Sequence, residues 1–203
     1  KNLLKSIELN KENYKAYSLL INLYYLSSNI DNAMIASKNA LKLNNQYPPT
    51  YVHLANCLVA VGKTQEAIDA LEMSLKLDNT NFEAYYGLAQ LKYSFSDFDL
   101  SYLKDALIND NISLESKAFS AMALWCYYDN IKEYEIGVNY LKISKSSFMQ
   151  YMNIDPDNVI ENEKLYFDKI QSSYNELSKI NFLKKNKTNN FIPIFILGMP
   201  RSG

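Results

Sequence analysis

The chain has 203 residues, a formal net charge of −1, 48% hydrophobic and 21% charged residues. This balance excludes an intrinsically disordered chain, and without a basic face a nucleic-acid partner has no electrostatic support. No apolar run reaches the roughly 20 residues of a membrane-spanning helix, and no signal peptide is evident. Two cysteines, Cys57 and Cys126, lie inside helical patterns without metal-ligand spacing and are expected to be buried thiols in a reducing compartment. His53 is the single histidine. It cannot build a metal cluster, so no metal site is expected, and its expected place is a helix surface.

In chain order, the opening KNLLKSIELN (1–10) matches the tail of a later helix, SLKLDN (74–79). Residues 14–44 form a first complete helical hairpin, with Asn29 and Asp31 flanking its turn in place of glycine. A second hairpin runs over 48–81, and Pro48–Pro49 suits a helix start. Its first helix carries Tyr51, Leu54, Ala55, Leu58 and Val59, and its second Ala67, Ile68, Leu71, Leu75 and Leu77. Both follow the i, i+3, i+4, i+7 spacing of one buried stripe, and Gly62-Lys63-Thr64 makes the turn. Each helix spans about three to four turns, marginal alone in water, so the pairs need neighbours.

A third unit begins near Phe82 with Tyr85, Leu88 and Ala89, then degenerates. Ser101 stands where alanine is expected, and 109–113 reads as a longer loop. A fourth hairpin, 118–144, has Leu124, Trp125 and Tyr128 in its first helix and Tyr134, Val138 and Leu141 in its second, shifted by about two residues. Beyond 144 the period is lost. Phe148, Tyr151 and Met152 continue the helix, and Asp155–Pro156 opens a last one with Ile160, Phe167, Ile170, Tyr174 and Leu177 on one face. This region, 146–183, is expected to cap or bridge the stack. KKNKTNN (184–190) is a linker by composition. FIPIFIL (191–197) then reads as a buried parallel strand.

The hairpins recur at a 34-residue step: Tyr17, Tyr51 and Tyr85; Leu20, Leu54 and Leu88; Ala33 and Ala67; Leu41 and Leu75; Leu43 and Leu77. A helical hairpin at this step resembles the tetratricopeptide repeat (TPR), whose pattern of aromatic, Leu-small, turn glycine and alanine stands here as Tyr51, Leu54-Ala55, Gly62 and Ala67. The resemblance implies an all-α superhelix of antiparallel helix pairs over 1–145, with the tyrosine and leucine ladders buried between neighbours. It also implies a protein or peptide partner in a concave groove. Asn22, Asn56 and Gln90, one repeat apart, are expected to face that groove, lined by Tyr25, Tyr86 and Tyr93.

The strand leads into Gly198-Met199-Pro200-Arg201-Ser202-Gly203. A glycine-bounded loop after a buried strand converges backbone N–H groups on an anion, and Arg201 adds a forked cation suited to phosphate or sulfate. Strand plus GMPRSG resembles the opening of sulfotransferase domains that use 3′-phosphoadenosine-5′-phosphosulfate (PAPS). A bacterial subfamily places TPR repeats directly before such a domain. By that resemblance 191–203 begins a truncated α/β domain, Arg201, Ser202 and Gly203 contact the cofactor, and Gly198 and Pro200 shape the loop. The parent would transfer a sulfuryl group from PAPS to an acceptor hydroxyl in a bacterial cytoplasm, with the catalytic base beyond Gly203. The chain, starting inside a helical pattern and stopping inside a motif, would be a fragment inactive by itself. Two alternatives stay open: a P-loop NTPase, which a lysine at position 204 would complete, and a pure interaction scaffold.

Overall fold

A computed structural model of the chain describes residues 2–155. Within them lie α1 (Asn2–Leu9), α2 (Tyr14–Leu26), α3 (Ile30–Leu43), α4 (Pro48–Ala60), α5 (Thr64–Leu77), α6 (Phe82–Gln90), α7 (Asp97–Ile108), α8 (Leu114–Asn130) and α9 (Tyr134–Tyr151). No strand occurs among the described residues. The candidate capping helix carrying Ile160 to Leu177, the linker 184–190, the strand 191–197 and the loop 198–203 all lie outside them.

Local chemistry sets the helix ends. Asn13 Oδ1 accepts the Ala16 N–H at 3.1 Å, and Asn29 Oδ1 accepts that of Asn32 at 3.4 Å. Ser96 and Asp99 form a reciprocal capping box at the start of α7. The turns between paired helices all contain a left-handed residue: Ser28 (φ 58), Gly62 (φ 77), Lys92 (φ 59) and Lys132 (φ 67). Glycine meets this requirement freely in one hairpin, whereas the other three accept the steric cost of a Cβ.

Helices α2 and α3 pack as one pair, α4 and α5 as the next, and α8 and α9 as the last; α2 also packs on α4, and α4 on α6. What lets the first helices approach one another is a pair of slots filled, Ile21 apart, by small residues. Ala16, Thr50, Ala84 and Ala118 are buried at successive 34-residue steps, as are Ile21, Ala55, Ala89 and Ala123. In the second helices Ala33, Ala36 and Ala40, then Ala67, Ala70 and Ser74, do the same. The expected aromatic and leucine ladders are thus only partly interior. Leu20, Tyr85 and Leu88 are buried, while Tyr17, Tyr51 and Leu54 are half-buried. Tyr51 turns its hydroxyl outward to the Asn45 carbonyl at 2.9 Å, a choice open to an amphipathic ring at an edge.

The third hairpin departs furthest. Helix α6 ends at Gln90, shorter than α4, and Phe95 folds back into the core beside Tyr85 (6.0 Å), Tyr93 (5.5 Å) and Tyr127 (6.1 Å). Phe82 stacks on Tyr102 at 5.7 Å. Rings rather than small residues therefore fill the space between α6 and α7. Helix α7 packs closely on α8 instead, where Ser120 Oγ donates to the Leu103 carbonyl at 2.6 Å. The fourth hairpin needs a correction to its expected register. Its first helix keeps the 34-residue step through Ala118 and Ala123, and only its second is displaced by two, since Gly137 and Ser144 sit at Ala67 + 70 and Ser74 + 70. Helix α9 runs without a break to Tyr151, and its Tyr134, Val138 and Leu141, expected inside, are exposed.

Candidate functional site

The expected groove residues fall on successive first helices: Asn22 on α2, Asn56 on α4 and Gln90 at the end of α6. Asn22 and Asn56 are half-buried and Gln90 is exposed. The three hold equivalent positions, 34 residues apart, on helices of which α2 packs on α4 and α4 on α6. The Asn22 and Asn56 amides form no hydrogen bond within the described residues, so each has two donors and an acceptor to offer. Gln90 Nε2 instead donates to the Tyr86 hydroxyl at 2.9 Å, which joins two expected site residues directly. The Tyr93 hydroxyl donates to Glu72 Oε1 at 2.7 Å, tying this ring to α5. Tyr25 packs against the core of the first hairpin. Tyr25 and Tyr93 are in step, with Val59 between them.

A second feature escaped the sequence. A cleft of about 440 Å³ opens where α4, α6 and α8 begin, lined by Tyr47, Phe82 and Phe119 and by Asp78, Glu83 and Glu115. Glu83 is half-buried, and burial first, then the neighbouring charge of Glu115, raises its carboxyl above the ordinary 4.5. No ion pair reaches Glu83 or Glu115 among the described residues. Two unneutralised carboxylates between aromatic walls suit a cationic side chain. Each glutamate alone reads as an ordinary helix-start residue, and only the side-by-side packing of α6 and α8 brings them together. Tyr86, in contact with Phe119 at 6.2 Å between ring centroids, links the cleft to the amide row.

His53 corrects another expectation. It is buried at 9% exposure on α4, and its Nδ1 has no hydrogen-bond partner. Burial holds its pKa below the ordinary 6.5, so it is neutral and structural. Cys57 is buried as expected and Cys126 half-buried; burial raises each thiol to about 11. Neither is a ready nucleophile at neutral pH. Among the described residues no group of three or more His, Cys, Asp or Glu could hold a metal, and no helix is long and apolar enough to cross a membrane. The expected cofactor residues Gly198, Pro200, Arg201, Ser202 and Gly203 lie outside the described residues.

Paired helices at a 34-residue step, with small residues in the shared slots, make an array of helical hairpins. The hairpins are similar to those of TPR-type repeats. Residues 3–74 match a family model described as anaphase-promoting complex, cyclosome, subunit 3. Among solved structures, the TPR-type array is similar to the crystal structure of MamA, at 18% identity and a TM-score of 0.47, covering 74% of this chain and 87% of that one. It is also similar to YrrB, described as a TPR protein with an unusual peptide-binding site, at 21% identity and a TM-score of 0.48, covering 75% and 85%. No curated protein matches the chain.

Proposed function

We propose that the TPR-type array is a protein-interaction module that holds an extended peptide along the Asn22–Asn56–Gln90 row. The observation that carries this reading is the pair of unengaged amides, Asn22 and Asn56, set one repeat apart on helices that pack together. An asparagine amide pairs with a peptide N–H and C=O at once, independently of the peptide's side chains. The acidic cleft beside Tyr86 would add preference for a lysine or arginine in the ligand. Counted at one net hydrogen bond of about 0.5–1.5 kcal/mol for each of the two amides, their loss amounts to a factor of roughly 5–150 in affinity. Peptides selected from a random display library on this chain should bind the Asn22→Ala/Asn56→Ala variant at least fivefold more weakly, with unchanged thermal stability. Equal affinity would remove the row from the site.

The GMPRSG motif after FIPIFIL favours a finer reading: that the module serves a PAPS-dependent sulfotransferase and recruits its acceptor. Under that reading Arg201 and the backbone of Ser202 and Gly203 hold the phosphosulfate, with Gly198 and Pro200 shaping the loop. The Arg201→Ala variant of the full-length protein should then lose a factor of roughly 10²–10³ in PAPS-dependent turnover. Wild-type turnover in the variant, or a full-length protein that binds ATP and not PAPS, would defeat it.

A further inference from the structure

The interior of the described residues divides into two clusters. One gathers Ile21 of α2, Ala33, Ala36 and Ala40 of α3 and Cys57 of α4; the other runs from Val52, Ala55 and Leu58 of α4 to Leu124 of α8. Helix α4 is the boundary, and polar atoms collect along it. Among the described residues three buried side-chain atoms have no hydrogen-bond partner: Ser18 Oγ on α2, and Thr50 Oγ1 and His53 Nδ1 on α4. Thr50, His53 and Cys57 follow at i, i+3 and i+7, which sets them on one side of α4. All three are buried, and Cys57 joins the cluster of the first hairpin, so that side is turned towards α2 and α3.

A protonated His53 does not suit this place. In the neutral ring one nitrogen carries a proton, whereas in the imidazolium both do, so Nδ1 must then donate where no acceptor stands. A buried donor without an acceptor is costly, and a buried charge more so. Helix α4 has no charged residue of its own. Of the helices packed on it, α2 brings Lys15, α3 Asp31, Lys38 and Lys42, and α5 Glu66, Asp69, Glu72 and Lys76, all exposed. Glu83 of α6 is half-buried and lines the acidic cleft. Tyr17, Tyr24 and Tyr25 of α2, like Tyr51 and Cys57 of α4, stay neutral in acid. Burial lowers the imidazole pKa, and no charge of these helices counters it.

We infer that the α2–α3 hairpin opens from α4 as a unit, and that His53 makes this opening proton-dependent. Each of the two clusters stays closed within itself, and only the small-residue and polar boundary parts. The closed form is fully favoured above the ordinary imidazole pKa near 6.5 and weakens as pH falls below it, because the open form binds the extra proton. One such proton raises the open-to-closed ratio by about tenfold between pH 7.5 and 5.5. Opening also parts Asn22 on α2 from Asn56 on α4, so a ligand spanning both opposes the proton; this last step rests on the peptide reading of the amide row.

Cys57 reads the opening directly. Its rate of reaction with 4,4′-dithiodipyridine, a thiol reagent active in acid, is followed by peptide mass and compared with that of the urea-unfolded chain at the same pH. The protection so obtained should fall by about tenfold from pH 7.5 to 5.5 in the unaltered chain, and by less than about twofold in His53→Gln. If His53→Gln does not fold, His53→Leu, which installs the residue of position 19, should give the same flat result. At pH 7.5 the protection should lie at least about tenfold below the folded-to-unfolded ratio from urea unfolding, as a local opening requires. Constant protection in the unaltered chain, an equal fall in the variant, or protection equal to the global ratio each overturns the inference. A display-selected peptide at about 100 times its Kd should raise Cys57 protection by about a hundredfold at either pH. Protection that falls with pH through His53 yet ignores the peptide supports the opening and removes the amide row from the peptide site.

Discussion

Leu71 and Gly87 test the stacking of one hairpin on the next in a single thermodynamic cycle. Leu71, on α5, is buried, and its two terminal carbons stand 3.0 Å from where a Cβ on Gly87 would be. Leu71→Ala removes those groups from a site that cannot fully collapse, at about 2–5 kcal/mol. Gly87→Ala in the unaltered chain forces the Leu71 side chain aside, at about 1–3 kcal/mol, against a gain in helix propensity of about 1 kcal/mol. Its net effect should therefore lie between neutral and a loss of about 2 kcal/mol. In the Leu71→Ala background the strain is gone, and the new methyl partly fills the vacated space. Gly87→Ala should then stabilise by about 1 kcal/mol or more, reversing its sign. Urea unfolding followed by helical circular dichroism, with slopes compared between variants, reads all four corners. A coupling of about 0.5–3 kcal/mol is expected for side chains in contact. Equal effects of Gly87→Ala in both backgrounds would refute the α5–α6 contact and the repeat stacking that rests on it.

Glu83 is expected to trade stability for recognition. Its carboxyl is raised, so the folded state favours the protonated form; that contribution is fully present below the unfolded value near 4.5 and is lost as pH rises from there through the raised folded value. Glu83→Gln should therefore raise the thermal midpoint at pH 7 by a few degrees, with the gain vanishing near pH 4, while weakening any lysine-containing ligand. His53 runs the opposite way: its pKa lies below 6.5, the unfolded chain binds the extra proton, and stability falls as pH drops below about 6.5. His53→Leu, which installs the residue of the equivalent α2 slot, should flatten this part of the pH profile measured by urea unfolding. Ser28→Gly and Lys132→Gly should each stabilise by about 1 kcal/mol by releasing a left-handed Cβ, and loss of stability in both would contradict the turn geometry. Cys57, buried with its thiol raised to about 11, should resist alkylation at pH 8 until the chain is unfolded.

The repeat step was legible because it recurs in residue types as well as in polarity, and Asn22, Asn56 and Gln90 fall on successive first helices as that step requires. Depth within the helices was less legible. Ala16, Thr50, Ala84 and Ala118 carry little hydrophobic signal, yet all four are buried, because close helix crossing selects for small volume rather than apolar area. Tyr17 and Tyr51 carry a strong signal but sit at edges where a ring can be half covered. His53 was misplaced for a related reason: its polarity suggests solvent, whereas its position on α4 is buried. The shortening of α6 and the return of Phe95 followed from no local rule. Tyr85, Tyr93 and Tyr127 supply the ring contacts that hold it, and they come from α6, from the turn after it and from α8. The cleft required tertiary packing, since Glu83 and Glu115 stand at the starts of two helices with all of α7 between them in the chain.

The side-chain amide resonances of Asn22 and Asn56 report most directly on the claim that peptides lie along the repeat row. Heteronuclear spectra of the chain, recorded free and saturated with a display-selected peptide, should show both pairs of signals shifting, together with the ring signals of Tyr86. Peptide that saturates the chain while the Asn22 and Asn56 amides stay unshifted would contradict the account and place binding elsewhere on the array.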